Sequence, residues 1–165
     1  MFFFIELERR RVHIAGITSH PNGAWATEQA RNVLATLRRE GKQPRILIRD
    51  RDVKLTKAFD AILRSEGITV IRTPIAAPQA KAHAERWVGS LRRECLDRIL
   101  IVSRSHLERV LREYVTHHNT HRPHRALQQQ PPIPKPVLVP TPPCDGHVHR
   151  RDRLGGLLHE YEIAA

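Results

Sequence analysis

The stretch at residues 45–72, RILIRDRDVKLTKAFDAILRSEGITVIR, decides the fold of this chain. The apolar run at 46–48 predicts one short strand, and the run at 68–71 predicts a second. Between them a helix that ends at Gly67 is indicated by the spacing of Leu55, Phe59 and Ile62. A strand, a helix and a strand joined by short links favour a parallel pair with a right-handed crossover. The sequence therefore predicts an α/β domain.

The flanking segments extend this pattern in both directions. Upstream, residues 2–6 and 12–18 predict two strands of a hairpin, and Asn22 is placed to cap a helix that Gly41 ends. Downstream, residues 79–100 predict a long helix with Cys95 on its apolar stripe. A capping box starting at Ser105 predicts one further amphipathic helix.

Proline changes the composition after residue 130. Seven prolines between residues 131 and 143 make a packed domain there improbable on compositional grounds. Residues 144–165 show no firm period. We therefore expect a core at residues 1–130 and a Pro-rich, weakly ordered tail at 131–165.

The charge balance favours a nucleic-acid partner. The formal net charge is +11 and the isoelectric point is about 10.9. Such an excess promotes binding to polyanions, because the released counterions drive association with phosphates. No apolar run is long enough for a membrane span, and Cys95 and Cys144 lack metal or disulfide spacing. The expectation is a cytoplasmic, nucleic-acid-binding protein with no membrane contact.

Two carboxylates are candidates for metal chemistry. Asp50 directly follows the predicted strand at 46–48, and Glu85 lies on the predicted helix 35 positions later. Carboxylates suit hard divalent cations, and the carboxyl ends of strands are where ligands gather in α/β sheets. Taken singly, Asp50 is more often a turn or cap residue, and Glu85 is more often one half of a surface ion pair.

The order of these motifs resembles the catalytic core of DDE integrases and insertion-sequence transposases over residues 2–131. The residues that carry the resemblance are Ile48-Arg49-Asp50-Arg51-Asp52, Thr73-Pro74 through Pro78, Ala84-Glu85-Arg86-Trp87, Leu91-Arg92-Arg93-Glu94, and His118-Asn119-Thr120-His121-Arg122-Pro123-His124-Arg125-Ala126-Leu127. The resemblance implies a ribonuclease-H-like mixed sheet with flanking helices. It also implies DNA integration by metal-dependent phosphodiester cleavage and strand transfer, with Asp50 and Glu85 holding a pair of Mg²⁺ or Mn²⁺ ions.

The sequence departs from the family pattern at three points. Arg51 and Asp52 follow Asp50 where the family usually has Asn-Gly, so Asp52 is an alternative ligand. The interval between the two carboxylates is one residue shorter than usual. The family's first carboxylate lies on a first strand that this sequence lacks, so we expect an N-terminally truncated core that is catalytically inactive alone.

Basic residues and histidines complete the set of candidates. The expected DNA contacts are Lys81, Arg86, Arg92, Arg93 and Arg122. The histidine-rich stretch has His118 in place of the family's usual Tyr, and its favoured role is to tie the last helix to the domain. Zinc binding is the weaker alternative, since no Cys pair accompanies His117, His118, His121 and His124.

Two other functions remain open on the sequence. The chain is alternatively a non-catalytic DNA-binding or regulatory fragment that pairs with a complete transposase or with a second copy of itself. A weaker interpretation is a basic protein that binds RNA non-specifically. Comparison of salt-dependent binding to duplex DNA and RNA separates these two interpretations.

Overall fold

A computed structural model describes residues 1–74, 78–134 and 148–163 of the chain, without the side chains of residues 78–81 and 163. This described part divides into two compact units, Met1–Phe4 with His13–Arg86, and Ile5–Val12 with Trp87–Ala165. Over the described ranges, every helix is too short or too polar to cross a bilayer.

Helices and short strands alternate along the chain. The elements are β1 (Phe2–Ile5), β2 (Val12–Gly16), α1 (Gly23–Arg39), β3 (Ile46–Arg49), α2 (Lys57–Ser65), β4 (Thr69–Arg72), α3 (Pro78–Glu94), α4 (Arg104–Thr120), β5 (Val148–Arg153) and β6 (Leu158–Ile163). Single 3-10 turns occupy Leu96–Arg98, Arg125–Leu127 and Leu154–Gly156. The predicted α/β class is confirmed.

Strand pairing confirms the local topology that the sequence predicts. β1 pairs with β2, and β3 pairs with β4 in parallel, with Leu47 opposite Val70. The predicted mixed sheet is not seen as one sheet in the ranges that the structure describes, where hydrogen-bonded strands form three two-stranded sheets. The structure therefore confirms the pairs and leaves the larger ribonuclease-H-like sheet as a prediction.

Helix ends follow the capping residues in the sequence, with one exception. Asn22 caps α1 as predicted, and its Oδ1 accepts a hydrogen bond from the Trp25 amide at 2.8 Å. Gly41 and Gly67 follow α1 and α2 with φ of 70° and 76°, which suits glycine at helix ends. The capping box at Ser105 is wrong: Ser103 caps α4, because its Oγ accepts the His106 amide at 3.1 Å.

The unit that contains His13–Arg86 is built on an apolar cluster between its helices and strands. Ala26 and Ala30 of α1 meet Phe59 and Leu63 of α2, and Ile68 closes the cluster. Side chains packed against it include Phe2, Phe4, Trp25, Leu34, Leu47, Leu55 and Val70. Ile46 and Ile48 point the other way and are exposed, as alternation along a strand requires.

A buried ion pair lies at the end of β3. Arg49 donates from Nε and Nη2 to the two carboxylate oxygens of Asp60 at 2.7 and 2.9 Å, and Arg72 adds a bond of 2.8 Å. The Asp60 side chain is fully buried. The Arg49 bond, opposed by burial and supported by Arg72, holds the pKa of Asp60 below its ordinary value. These contacts join α2 to β3 and β4.

In the other unit, α3 and α4 supply most of the buried side chains. Leu91, Cys95, Leu111 and Tyr114 are almost completely buried. The helix predicted at 79–100 ends at Glu94, so Cys95 is buried as expected but lies in the turn after α3. Burial raises the pKa of the Cys95 thiol to about 11. Cys144, which lacks metal or disulfide spacing in the sequence, lies outside the described residues.

Asn119 ties the end of α4 to Val12. Its Oδ1 accepts the Val12 amide at 3.0 Å, and its Nδ2 donates to the Val12 carbonyl at 2.9 Å. The side chain satisfies both backbone groups of a buried residue in the way that a neighbouring strand would. This contact supports the tethering role that the sequence favours for the histidine-rich stretch.

The C-terminal segment corrects a prediction. β5 and β6 form an antiparallel hairpin in which Arg151 lies opposite Glu160. The expectation of weak order is therefore wrong for residues 148–163, while residues 135–147 lie outside the described chain. Buried Glu160 and Leu158 explain the order, because they anchor a strand that also carries the polar residues His159 and Glu162.

We expect Asp60→Asn to lower the free energy of unfolding by about 3–5 kcal/mol, since it leaves the buried Arg49 guanidinium without a charged partner. Urea titration followed by circular dichroism measures the change. Glu28→Gln is the matched control, because Glu28 pairs with Arg31 on the exposed face of α1 and its loss should leave stability unchanged. Equal stability of the Asp60 variant and the parent would contradict the role of this pair.

His118 makes stability depend on pH between about 6.5 and 4. Burial, followed by the charge of His124, lowers its pKa from 6.5 to about 4. Below pH 6.5 His118 binds a proton in the unfolded chain but stays neutral in the folded chain. The free energy of unfolding therefore falls by roughly 3 kcal/mol as the pH drops to about 4. His118→Phe should flatten this slope in urea titrations at several pH values. His20→Phe, at an exposed position, should leave it unchanged, and an unaltered slope in His118→Phe would count against this account.

Candidate functional site

Asp50 stands directly after β3 and is exposed. Its Oδ1 accepts the Asp52 amide at 3.2 Å, which is the turn geometry expected of an Asp after a strand. Among the described residues, its second carboxylate oxygen has no hydrogen bond or ion pair. Asp50 therefore combines a structural turn with an oxygen that faces solvent.

The buried ion pair holds the backbone of Asp50. Arg49 donates from Nη1 to the Asp50 carbonyl at 2.8 Å, while its other nitrogens are bound to Asp60. Arg51 donates from Nε to the Thr73 carbonyl at 3.1 Å, so the segment after β3 is also attached to the end of β4. This anchoring gives the Asp50 side chain a fixed point of attachment.

Asp52, the alternative ligand, is more fully engaged. Its Oδ1 accepts the Lys54 amide at 2.9 Å, and its Oδ2 lies 3.7 Å from the Lys54 ammonium. Both of its oxygens thus have a partner, whereas Asp50 has one oxygen engaged. The contacts favour Asp50 over Asp52 as a cation ligand.

Glu85 lies on α3 with an exposed side chain. It makes no hydrogen bond or ion pair with the residues that the structure describes, which does not support the surface ion pair considered for it on sequence. Asp50 and Glu85 belong to the same compact unit. In the described ranges, neither belongs to a cluster of three or more potential metal-ligating side chains.

The expected DNA-contacting residues differ in their surroundings. Arg86, Arg92 and Arg93 are exposed on α3, and Arg92 lies 3.6 Å from Asp97 across an exposed ion pair. The Lys81 side chain lies outside the described residues. Arg122 is partly buried and already bound by a carboxylate.

Glu94 is the centre of a polar network that the sequence did not predict, although Glu94 and Arg122 both lie in the motifs quoted above. Arg122 donates to both Glu94 oxygens at 3.0 and 2.6 Å, and the Tyr114 hydroxyl donates to Oε2 at 2.8 Å. Burial acts to raise the pKa of Glu94, but these bonds together lower it. Burial and the bond to Glu94 raise the pKa of Tyr114. The Arg122 guanidinium is already bound to Glu94, so DNA contact by Arg122 stays a prediction.

The four histidines of the predicted cluster separate into two pairs. His118 and His124 pack edge to face, with ring centroids 4.8 Å apart. His117 and His121 stack on each other and meet Glu160 of β6, a residue that no local sequence signal connects with them. The three side chains could hold a metal ion. Only the β5–β6 hairpin brings the carboxylate to this point.

Comparison with protein families gives one match. Residues 66–132 match the family model described as an integrase core domain, which is less than half of the chain. The matched segment contains Glu85, Glu94 and Arg122, whereas Asp50 precedes it. The comparison with curated proteins gives no match. Proteins with this core typically use divalent metals, and the match suggests a role in DNA integration or transposition. The match at residues 66–132 supports an integrase- or transposase-core-like protein.

Proposed function

We propose that the chain carries part of a DDE-type active site for DNA cleavage and strand transfer, with Asp50 and Glu85 as ligands of divalent ions on a ribonuclease-H-like core. The observation that carries the proposal is the exposed Asp50 carboxylate at the carboxyl end of a parallel strand. Ligand sites in α/β sheets form at this edge. Glu85, inside the segment matched by the integrase core, supplies the second carboxylate.

The donor atoms fit Mg²⁺ or Mn²⁺. Both side chains offer only oxygen, both are exposed, and Asp50 has one oxygen without a protein partner in the described part of the chain. Hard cations bind through a few carboxylates and retain several waters, so two exposed carboxylates suit them better than a closed cage. The family pattern adds a third carboxylate, which makes these two residues part of a larger ligand set.

The chain's own residues contribute position and charge. Arg49 fixes the Asp50 backbone through its bond to the carbonyl, while Asp60 keeps the Arg49 side chain in place. Bound divalent ions would activate the attacking oxygen and stabilise the leaving oxygen of a phosphodiester. Arg92 lies two helical turns after Glu85 on the same face of α3, where its charge attracts DNA phosphates.

Metal binding at Asp50 and Glu85 can be mapped directly. Fe²⁺ in place of Mg²⁺, with ascorbate and peroxide, generates radicals that cut the polypeptide beside the ion. We expect cuts next to residues 50 and 85, protection by excess Mg²⁺, and loss of both cuts in Asp50→Asn and in Glu85→Gln. Asp52→Asn is the matched control and should keep them, because Lys54 already engages Asp52.

The same variants test the reaction. If the unmodified chain is active, Asp50→Asn and Glu85→Gln should each lower the rate of nicking and strand transfer on duplex DNA with Mn²⁺ by at least a hundredfold. Cuts near residues 50 and 85 without any nicking would support the incomplete catalytic core expected from the sequence. Activity that survives both substitutions, or cuts confined to other parts of the chain, would overturn the assignment.

DNA binding should depend on the exposed arginines of α3. We expect Arg86→Ala with Arg92→Ala to lower the slope of log K against log salt by about 2, since each lost phosphate contact removes roughly 0.9. Fluorescence anisotropy with duplex DNA between low and moderate salt measures the slope. The control pair is Arg31→Ala with Arg39→Ala on α1, where we expect no change. Tighter binding to RNA than to duplex DNA would favour the non-specific RNA-binding alternative.

A second copy of this chain or a complete transposase is the protein partner that the proposal includes. Such a partner would supply ligands or DNA contacts that complete the reaction. Addition of a complete transposase to the nicking assay separates a regulatory pairing from an independent activity.

A further inference from the structure

The end of α4 and strand β6 bring together two imidazoles and one carboxylate. His117 and His121 lie one helical turn apart, and Glu160 approaches them from the hairpin. Their potential ligand atoms all lie within 4.8 Å of one another. The side chains of His117 and His121 are 12% and 16% exposed, and that of Glu160 is 1% exposed. These three residues are called the His-His-Glu cluster below.

The distances within the cluster suit a shared ion. Nδ1 of His117 lies 3.3 Å from Oε1 of Glu160, and Nδ1 of His121 lies 3.2 Å from the same oxygen. Ligands about 2.0–2.1 Å from a tetrahedral metal are separated from each other by about 3.3 Å. Charge-assisted hydrogen bonds between nitrogen and oxygen are shorter, about 2.7–2.9 Å. The His117 contact is also within hydrogen-bond distance, and both spacings are compatible with ligands around one ion.

The two imidazole rings are nearly parallel. They stack with centroids 6.1 Å apart and an interplanar angle of 8°. His117 lies in the last turn of α4 and His121 caps its end, and histidines four positions apart on one helical face are a common source of two metal ligands. The Glu160 carboxylate then approaches from a different element and completes a three-sided site.

Outer contacts hold the ligands in place. Arg153 donates from Nε to Oε2 of Glu160 at 3.1 Å, which leaves Oε1 directed at the histidines. The other ring nitrogen of His121 lies 3.4 Å from Oε1 of Glu162. Metal-bound carboxylates and histidines have outer partners of this kind, which fix their orientation. Thr120 Oγ1 lies 2.7 Å from Nδ1 of His121 and is the protein group that an ion would displace.

We infer that His117, His121 and Glu160 form a zinc site that fastens the β5–β6 hairpin to the end of α4. Two imidazole nitrogens and one carboxylate oxygen suit Zn²⁺, with water in the fourth position, whereas Mg²⁺ prefers oxygen ligands alone. The site is separate in its residues and its ligand chemistry from the proposed carboxylate pair at Asp50 and Glu85. Its role is to stabilise the fold, because the metal connects a helix with a hairpin whose exposed side chains are largely polar.

Zinc titration of the purified full-length chain tests the inference. We expect one Zn²⁺ per chain by calorimetry, and a rise in melting temperature of roughly 5–10 °C at a zinc concentration about 100 times Kd. Mg²⁺ should produce no such rise. Co²⁺ should bind at the same stoichiometry and give the visible absorption of a four-coordinate site with nitrogen and oxygen ligands.

Matched variants assign the ligands. His117→Gln and His121→Gln should each weaken zinc binding by at least a hundredfold, and Arg153→Met should weaken it about tenfold because only the orientation of Glu160 is lost. His159→Gln is the control, since His159 lies on the same hairpin but pairs with Asp152. Melting curves recorded without metal establish that the variants fold, and the histidine variants leave buried Glu160 intact.

Three results would overturn the inference. One is the absence of stoichiometric zinc binding to the unmodified chain. The second is zinc binding that survives the two histidine substitutions together, which would place the ion elsewhere among the histidines of this chain. The third is an equal loss in His159→Gln. Radical cuts near residues 50 and 85 with Fe²⁺ do not bear on this site, so the two proposals fail independently.

Discussion

Asp60 is a carboxylate without access to water, and the arrangement of β3, β4 and α2 depends on its hydrogen bonds to Arg49 and Arg72. Arg49 binds both oxygens, and Arg72 binds one of them from the neighbouring strand. A lone buried carboxylate would be expensive, so the pairing of charges is a condition for packing α2 against the strands. The third nitrogen of Arg49 then holds the carbonyl of Asp50. The buried ion pair thereby fixes the backbone position from which the exposed Asp50 side chain extends.

In the unit that contains α4, charged and polar side chains are likewise held by partners within the protein. Glu94 is bound by Arg122 and Tyr114, and Asn119 satisfies both backbone groups of Val12. These side chains belong to the segment that matches the integrase core, and each is used up by contacts within the protein. A motif residue in this stretch therefore contributes to function by holding the helix end, and a positive charge in the sequence is not by itself a DNA contact.

The two proposed metal sites differ in the atoms they offer. Asp50 and Glu85 present exposed oxygens, which bind hard ions weakly and exchange them readily, as a site that must admit DNA requires. His117, His121 and Glu160 present nitrogens and one nearly buried oxygen, and Arg153 holds the carboxylate from behind. The second site is nearly buried and would join two elements of the fold, whereas the first is exposed and leaves room for a substrate.

The sequence by itself determined the elements that depend on neighbouring residues. Helical spacing, the Asn22 cap, the glycines at 41 and 67 and the parallel β3–β4 pair follow from interactions over a few positions. Tertiary structure decided which charges are consumed, because Asp60 meets Arg49 and Glu94 meets Arg122 only after the chain has folded. It also decided the C-terminal hairpin, whose order rests on Glu160 reaching a helix 39 positions earlier, at His121. Periodicity could not reveal that contact, since Glu160 gains His117 and His121 as partners from a distant part of the chain.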